Sequence, residues 1–439
     1  MKNQRIGLGA ALVLALVGAP AAHAIDVKAG NWTLSFDGNV NANYIYSHCA
    51  SATDARTIAG GLACVTSSSS DSSSSVSNGL LPAALTVSGA TEQDGFNLGF
   101  TFGLYPGIST NDGGSPNLQD IPTATEGHTA LGTAGLDIRQ VFLTVGNSRM
   151  GTIMAGRNIG LFASDAILND MTLLGVGAGS GDYAAPANTS LGSIGLGYIY
   201  TDWLSQIDYT TPDMAGTKVT VGIFDPLNTL GQVPVNHSSP GFQAKIAYTV
   251  GSLYLSASGM YQQQRIGCAD PTLNQPVTTT GSIGLPAVAG ACPVVTPGSY
   301  VDFGADAFDL GGKYDFHGFE VMGWYYRGKG VGTTGLFVAN HDQMGTPRDS
   351  EGFLAQLTYA MGPEKVGVNY GVSKLDPTSY DLGHNGVLVE RNQKWTLGNY
   401  YNLTPNLLLV AEFSRIESTS DLSLTNATWN LNAGLFLKF

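Results

Sequence analysis

The chain has 439 residues, only 12% of them Asp, Glu, Lys or Arg, and a formal net charge of −13. That balance opposes a nucleic-acid partner, which needs a basic face, and simple attraction to an anionic membrane surface. Length alone suggests two or three soluble domains, but the pattern along the chain points elsewhere.

At the start, Lys2 and Arg5 precede an apolar run from Ile6 to Val17, followed by Gly18, Pro20 and Ala22-His23-Ala24. A basic start, a short apolar stretch and an A-x-A end predict a secretory signal peptide over residues 1–24, cleaved after Ala24. The run is far shorter than the roughly 20 residues a membrane helix needs. Without that segment, 18 basic residues face 33 acidic ones, a net charge of −15. No later stretch approaches 18 consecutive apolar residues, so no membrane helix is expected.

The first strand is predicted at 31–46. Trp32, Leu34, Phe36, Val40, Ala42, Tyr44 and Tyr46 share one parity; Thr33, Ser35, Asp37, Asn39, Asn41 and Asn43 share the other. The last, 424–439, repeats the pattern. Phe439, Leu437, Leu435, Leu431 and Trp429 alternate with Lys438, Asn432, Asn430, Thr428 and Asn426. Strands of soluble sheets run about 5–6 residues, whereas tilted membrane strands need about 9–11 with lipid-facing and lumen-facing positions alternating. Aromatics at the ends of the apolar faces suit membrane-interface girdles. A spanning sheet must also close on itself, because lipid cannot satisfy an open edge.

Between these two, strands are predicted at 83–91, 96–105, 136–146, 151–158, 193–211, 216–225, 241–250 and 253–262. Six more follow at 304–315, 319–327, 351–360, 365–374, 393–403 and 407–416. Short turns such as Glu92-Gln93-Asp94-Gly95, Phe316-His317-Gly318 and Met361-Gly362-Pro363-Glu364 carry the residues that turns favour. Long connections alternate with them: 47–82, 106–135, 159–192, 226–240, 263–303, 328–350 and 375–392. Residues 25–439 are therefore expected to form one all-β domain. It is a transmembrane antiparallel β-barrel of 16 strands, with short periplasmic turns and long extracellular loops.

Cys49 and Cys64 fall in the first long loop, Cys268 and Cys292 in the fifth. Four cysteines allow three pairings. The local one, Cys49–Cys64 with Cys268–Cys292, closes short loops in an oxidising compartment and is the one expected. Residues Ser67–Ser75, all serine except Asp71, read as an exposed loop tip. The Gly175–Gly181 run lacks the Lys-Ser/Thr pair of a phosphate loop and reads as plain loop.

Residues 138–160 read IRQVFLTVGNSRMGTIMAGRNIG, and 209–216 read YTTPDMAG. With the T-E-Q-D-G-F turn inside 84–105, the aspartates of the third loop and the terminal Phe439, these segments resemble the general diffusion porins of Gram-negative bacteria. The resemblance implies a homotrimer in the outer membrane, in contact with its lipid and lipopolysaccharide. It also implies an assembly signal at Phe439 read by the barrel-assembly machinery. It further implies that the third loop folds into the barrel and narrows it. Asp165, Asp170 and Asp182 on that loop would then face Arg139 and Arg157 on the wall; opposed charges in a narrow wet constriction set ion preference. Arg139 shares parity with Val141, Leu143 and Val145, which points it at lipid unless a bulge turns it inward. Asp202 stands where the family often has a further wall arginine.

The implied activity is passive diffusion of small hydrophilic solutes and ions, with no cofactor and no catalysed reaction. An outer-membrane hydrolase would need a grouped Ser, His and Asp, which the sequence does not offer. A soluble adhesin would lack the long amphipathic strands. A substrate-specific channel for sugars or carboxylates would need an aromatic or basic ladder. Tyr325, Tyr400 and Tyr401 could supply an aromatic one, whereas the shortage of lysine and arginine opposes a basic one.

Overall fold

A computed structural model describes residues 25–52, 58–64, 71–108, 136–179, 189–228, 236–267, 300–342 and 344–439. The signal segment, Asp182, Cys268 and Cys292 lie outside them.

The first strands are β1 (Ile25–Ala29), β2 (Trp32–Ala52), β3 (Ser72–Ser77), β4 (Ala84–Gln93), β5 (Phe96–Pro106) and β6 (Leu136–Asn147). Next come β7 (Gly151–Ile159), the helix α1 (Ser164–Asn169), a 3-10 turn at Met171–Leu174, β8 (Trp203–Thr210) and β9 (Thr217–Phe224). The chain continues through β10 (Gly241–Val250), β11 (Leu253–Gly267), β12 (Tyr300–Phe316), β13 (Phe319–Lys329), β14 (Asp349–Met361) and β15 (Glu364–Leu375). It ends with the helix α2 (Ser379–His384), β16 (Val389–Asn402), β17 (Leu407–Ser420) and β18 (Thr425–Lys438).

β1 and β3 pair only with β2, and β2 pairs with β4. From β4 to β18 each strand pairs antiparallel with the next in sequence, and β18 pairs back to β2 from Asn426↔Ala52 to Lys438↔Asn39. β2 and β4 through β18 thus make a closed barrel of 16 strands. All sixteen predicted strands are present. Two short ones were not foreseen, and both complete β2, which at 21 residues outruns its neighbours. β1 pairs its periplasmic end, Ile25↔Phe36 to Ala29↔Trp32. β3 pairs its outer end, Asn43↔Ser77 to His48↔Ser72. Ser72–Ser75 are therefore strand rather than loop tip, because an overhanging strand leaves backbone donors and acceptors that need a partner. The first half of the predicted 193–211 strand is loop instead. Gly195 and Gly197 adopt positive φ there, and only Trp203–Thr210 joins the sheet.

The barrel is inside out relative to a soluble protein. Val40, Leu143, Ile207, Leu255, Leu357 and Leu435 stand exposed on the outer face. Asn39, Asn41, Gln243, Thr358, Asn430 and Asn432 are buried toward the lumen. Stacked rings at the periplasmic rim, Tyr314–Phe316 at 5.7 Å and Phe316–Phe319 at 5.5 Å, form part of one girdle. Trp395–Phe413 at 5.2 Å and Tyr46–Trp429 at 5.5 Å lie toward the other edge.

The seam is tight. Phe439 exchanges two backbone hydrogen bonds with Gly38, each 3.1 Å, and its ring packs over that glycine. A Cβ at position 38 would sit 2.4 Å from the Ala84 carbonyl oxygen and 2.7 Å from the Phe439 ring. Gly38→Val should therefore cost about 1–3 kcal/mol of overpacking and lower the fraction of heat-resistant barrel on unheated gels. An undiminished folded fraction would show that the ring does not pack there.

Candidate functional site

After Ile159 the chain leaves the wall and turns into the barrel. Ala163, at φ 58°, makes the reversal into α1, whose six residues are all buried. Asp170 caps the following 3-10 turn by accepting from the Thr172 amide at 3.0 Å. The loop then crosses the lumen, which its anchors record strand by strand. The Leu161 and Phe162 amides donate to the Gln243 Oε1 on β10 at 2.7 and 2.9 Å. The Met171 amide donates to the Gln356 Oε1 on β14 at 2.6 Å. The Val176 and Gly177 amides both donate to the Glu412 Oε2 on β17, each at 2.8 Å. Gly175 permits this approach, since a Cβ there would lie 2.2 Å from the Glu412 carboxylate.

The two loop acids described are held in place by the wall and, for Asp170, also by the returning part of the same connection at Tyr198. Asp165 pairs with Lys245 at 3.1 Å and accepts from the Tyr254 hydroxyl at 2.8 Å. Asp170 accepts from the Tyr198 hydroxyl at 2.9 Å and from Asn369 at 3.2 Å. Lys394, fully buried on β16, lies within electrostatic reach of both Asp170 and Glu412.

Neither arginine expected to face these acids does so. The bulge at Gly103/Leu104 leaves Arg139 opposite no β5 residue, so both it and Gln140 turn inward. Arg139 is spent locally: its Nε donates to Asp137 at 2.8 Å, and its guanidinium sits 5.0 Å from the Tyr105 ring and 5.8 Å from Trp203. Arg157 is cross-strand from Val141 and Ser205, both on the outer face. The cations opposite the loop acids are lysines. Lys245 shares parity with inward Gln243 and Lys394 with inward Asn392, so a charged residue on the polar parity of a strand was the available signal. The aromatic ladder does not assemble, because Tyr325 pairs with outward Leu310 and Phe353 and Tyr401 is exposed. Tyr400 alone turns inward, donating to the Glu412 Oε1 at 2.6 Å.

Beneath the loop the lumen opens toward the periplasm on either side of it. One cavity, about 760 Å³, is lined by residues including Asp26, Lys28, Asp37, Glu92, Asp208 and Lys245. The other, about 440 Å³, is lined by residues including Asp170, Lys313, Asp315, Glu320, Glu364, Lys365 and Lys438. In each, carboxylates outnumber lysines.

Residues 10–421 match the profile of the Gram-negative porins. The chain belongs to that family. It is an outer-membrane channel for passive diffusion of small solutes, and family and fold together point to a channel rather than an enzyme. The porin is similar in fold to the outer-membrane channel DcaP of Acinetobacter baumannii, with TM-score 0.61 and 13% identity over 94% of this chain and 99% of that one. OmpF of Salmonella typhi gives TM-score 0.54 at 12% identity, covering 94% and 100%. OmpT of Vibrio cholerae gives 0.53 at 14%, also covering 94% and 100%. No curated protein matches the sequence significantly.

The described extracellular loops hold each other. Arg348 forks onto Asp381 through Nε and Nη2, at 2.8 and 2.7 Å. Cys49 and Cys64 form a disulfide.

Proposed function

We propose that this porin favours cations, that its third loop sets the preference, and that it catalyses no reaction. The observation that carries this is an acidic loop anchored across the lumen above two cavities in which carboxylates outnumber lysines. A solute crossing between them passes Asp165 and Asp170, each opposed by a single lysine, Lys245 or Lys394. Such fixed charges in a narrow aqueous path set ion preference. Asp182 adds a further acid to the same loop, whereas Arg139 and Arg157 stand apart from it. Reversal potentials in a potassium chloride gradient across a planar bilayer test the idea. The sign should report cation preference, and Lys245→Gln should strengthen it. Anion selectivity of the unaltered protein would sink the proposal.

We also infer a homotrimer embedded in lipopolysaccharide. The outer positions of β2 and β4–β10 carry one charged residue, Arg157. Those of β11–β17 carry Arg265, Arg327, Lys329, Lys374 and Arg415, interspersed with Asp302, Asp306, Asp349, Glu351 and Glu417. An uncharged half suits a subunit interface, and a charged collar beside an aromatic girdle suits phosphorylated headgroups. Vibrio cholerae OmpT occurs in a trimer form. Residues 1–24 would direct export, and Phe439 would be the signal read by the barrel-assembly machinery.

A further inference from the structure

We infer that residues 58–64 are a second constriction, a plug seated in the outer mouth and tethered to the wall by the Cys49–Cys64 disulfide, and that this plug sets the size limit of the channel. The inference rests on the reading of the chain as a channel and adds an element to it.

Every residue from Ile58 to Cys64 is buried, although the segment belongs to an extracellular loop. The burial comes from the lumen. The Leu62 and Ala63 amides donate to the Ser418 Oγ on β17, each at 2.9 Å. The Cys64 amide donates to the Thr428 Oγ1 on β18 at 2.6 Å. Asn392 on β16 both accepts from the Leu62 amide, at 3.1 Å, and donates to the Gly60 carbonyl, at 3.0 Å. Three consecutive strands thus present inward polar side chains that satisfy the backbone of the segment, which is what a non-helical chain at this depth requires.

On its other side the segment is apolar and meets the other inward-folded loops. Leu62 and Ala63 pack with Ala178 and Leu196 of the long third connection, Val338 of the sixth, and Ile416 of the wall. The third loop is bound to β17 at Glu412 and Ser414, and the plug is bound at Ser418, farther toward the outside. A solute entering from outside therefore meets the plug before the third loop.

The seat alone is a handful of hydrogen bonds and a small apolar contact. The chain already tethers the segment through β2 and β3; the disulfide, joining residues 15 apart, shortens that tether and raises the effective concentration of the segment at its seat. Cys49 lies on β2 opposite Thr428, so the covalent tether and the last hydrogen bond of the seat converge on one spot of the wall. In an oxidising compartment the bond persists.

Purified, folded porin reconstituted in planar bilayers and in liposomes tests this. Dithiothreitol breaks the bond: the disulfide accepts two electrons and two protons, giving two thiols, while the dithiol becomes a cyclic disulfide. The unaltered protein and a Cys268→Ser/Cys292→Ser variant are compared before and after, with thiols counted by a colorimetric reagent. Reduction should raise single-channel conductance at least about twofold and admit larger sugars in liposome swelling, in both proteins. A Cys49→Ser/Cys64→Ser variant should start at the raised level and ignore the reductant. Unchanged conductance after two thiols appear in the variant lacking Cys268 and Cys292 overturns the plug. An effect seen only when Cys268 and Cys292 are present overturns it as well. A chain that passes no current in any state would instead contradict the channel reading itself.

Discussion

Glu412→Ala should loosen the third loop and raise single-channel conductance, by less than release of the plug does, because one carboxylate takes two backbone amides at the far end of that loop, beside the single Ser414 bond to the Gly177 carbonyl. Its Oε2 takes two backbone amides, from Val176 and Gly177, and its Oε1 takes the Tyr400 hydroxyl. Deleting the carboxylate strands those donors and leaves Lys394 beside Asp170 alone. Removing one partner of such a buried charged network costs about 3–5 kcal/mol, several times thermal energy, so the loop end should loosen while the sheet persists. Glu412→Gln keeps an acceptor oxygen for the two amides and should stay near the unaltered conductance. If Glu412→Ala conducts like the unaltered protein, with the same noise, the loop is not held by this residue.

Arg348→Ala should loosen the extracellular loops at 330–348 and 376–388 without opening the barrel. Arg348 and Asp381 are almost wholly buried and joined by two hydrogen bonds. Asp381 also closes the capping box of α2 with Thr378, and the Thr378 hydroxyl reaches Asp342 at 2.6 Å. The orphaned carboxylate should cost about 3–5 kcal/mol, all of it local, and limited proteolysis should find new cuts in these loops alone. The same cluster gives a pH profile. Burial pushes the Asp381 carboxyl up, but the hydrogen bonds and charge of Arg348 outweigh it and hold it below its usual 3.8. That contribution is fully present above 3.8 and is lost as pH falls through the lower folded value. Asp421 is pushed up to about 6 by burial, then by the charges of Asp381 and Glu390. The folded loops therefore bind its proton more readily than the unfolded chain does, and they gain stability as pH falls from above 6 toward 3.8. Hydrogen-exchange protection in these loops, taken relative to the intrinsic exchange rate at each pH, should be greatest between about pH 4 and 6. Asp421→Asn should flatten the high-pH limb and Arg348→Ala should remove the acid one. Protection that rises steadily to pH 8 would contradict both assignments.

The barrel was legible because lipid outside and water inside impose a strict two-residue period, and nothing else in the molecule competes with it on β2 or β18. Where a third environment intrudes, the period misleads. Ser193 to Tyr200 alternates small and apolar residues like a strand, yet Leu196 and Tyr198 bury against the inner wall and its loops rather than lipid. Alternation cannot distinguish an apolar lumen patch from a lipid face. Arg139 shows the converse limit, since one bulge reverses a parity that the sequence states plainly. Lys245, Lys394 and Glu412 were legible in principle as charges on the polar parity of membrane strands, but which of them meets the third loop depends on how that loop crosses. The fold of 58–64 into the mouth left no periodic trace at all.

The seam between β18 and β2 also has a consequence in time. Every other wall contact joins strands close in sequence, whereas this one joins Lys438 to Asn39. Bringing such distant points of a chain together costs about 5 kcal/mol of loop-closure entropy before any pair forms, so hairpins add up first and the cylinder shuts last. Until then two ladders of backbone groups stand open, and hydrocarbon offers them nothing. The two ends of the wall must either meet each other in water or be lent a temporary neighbour while the sheet enters the bilayer.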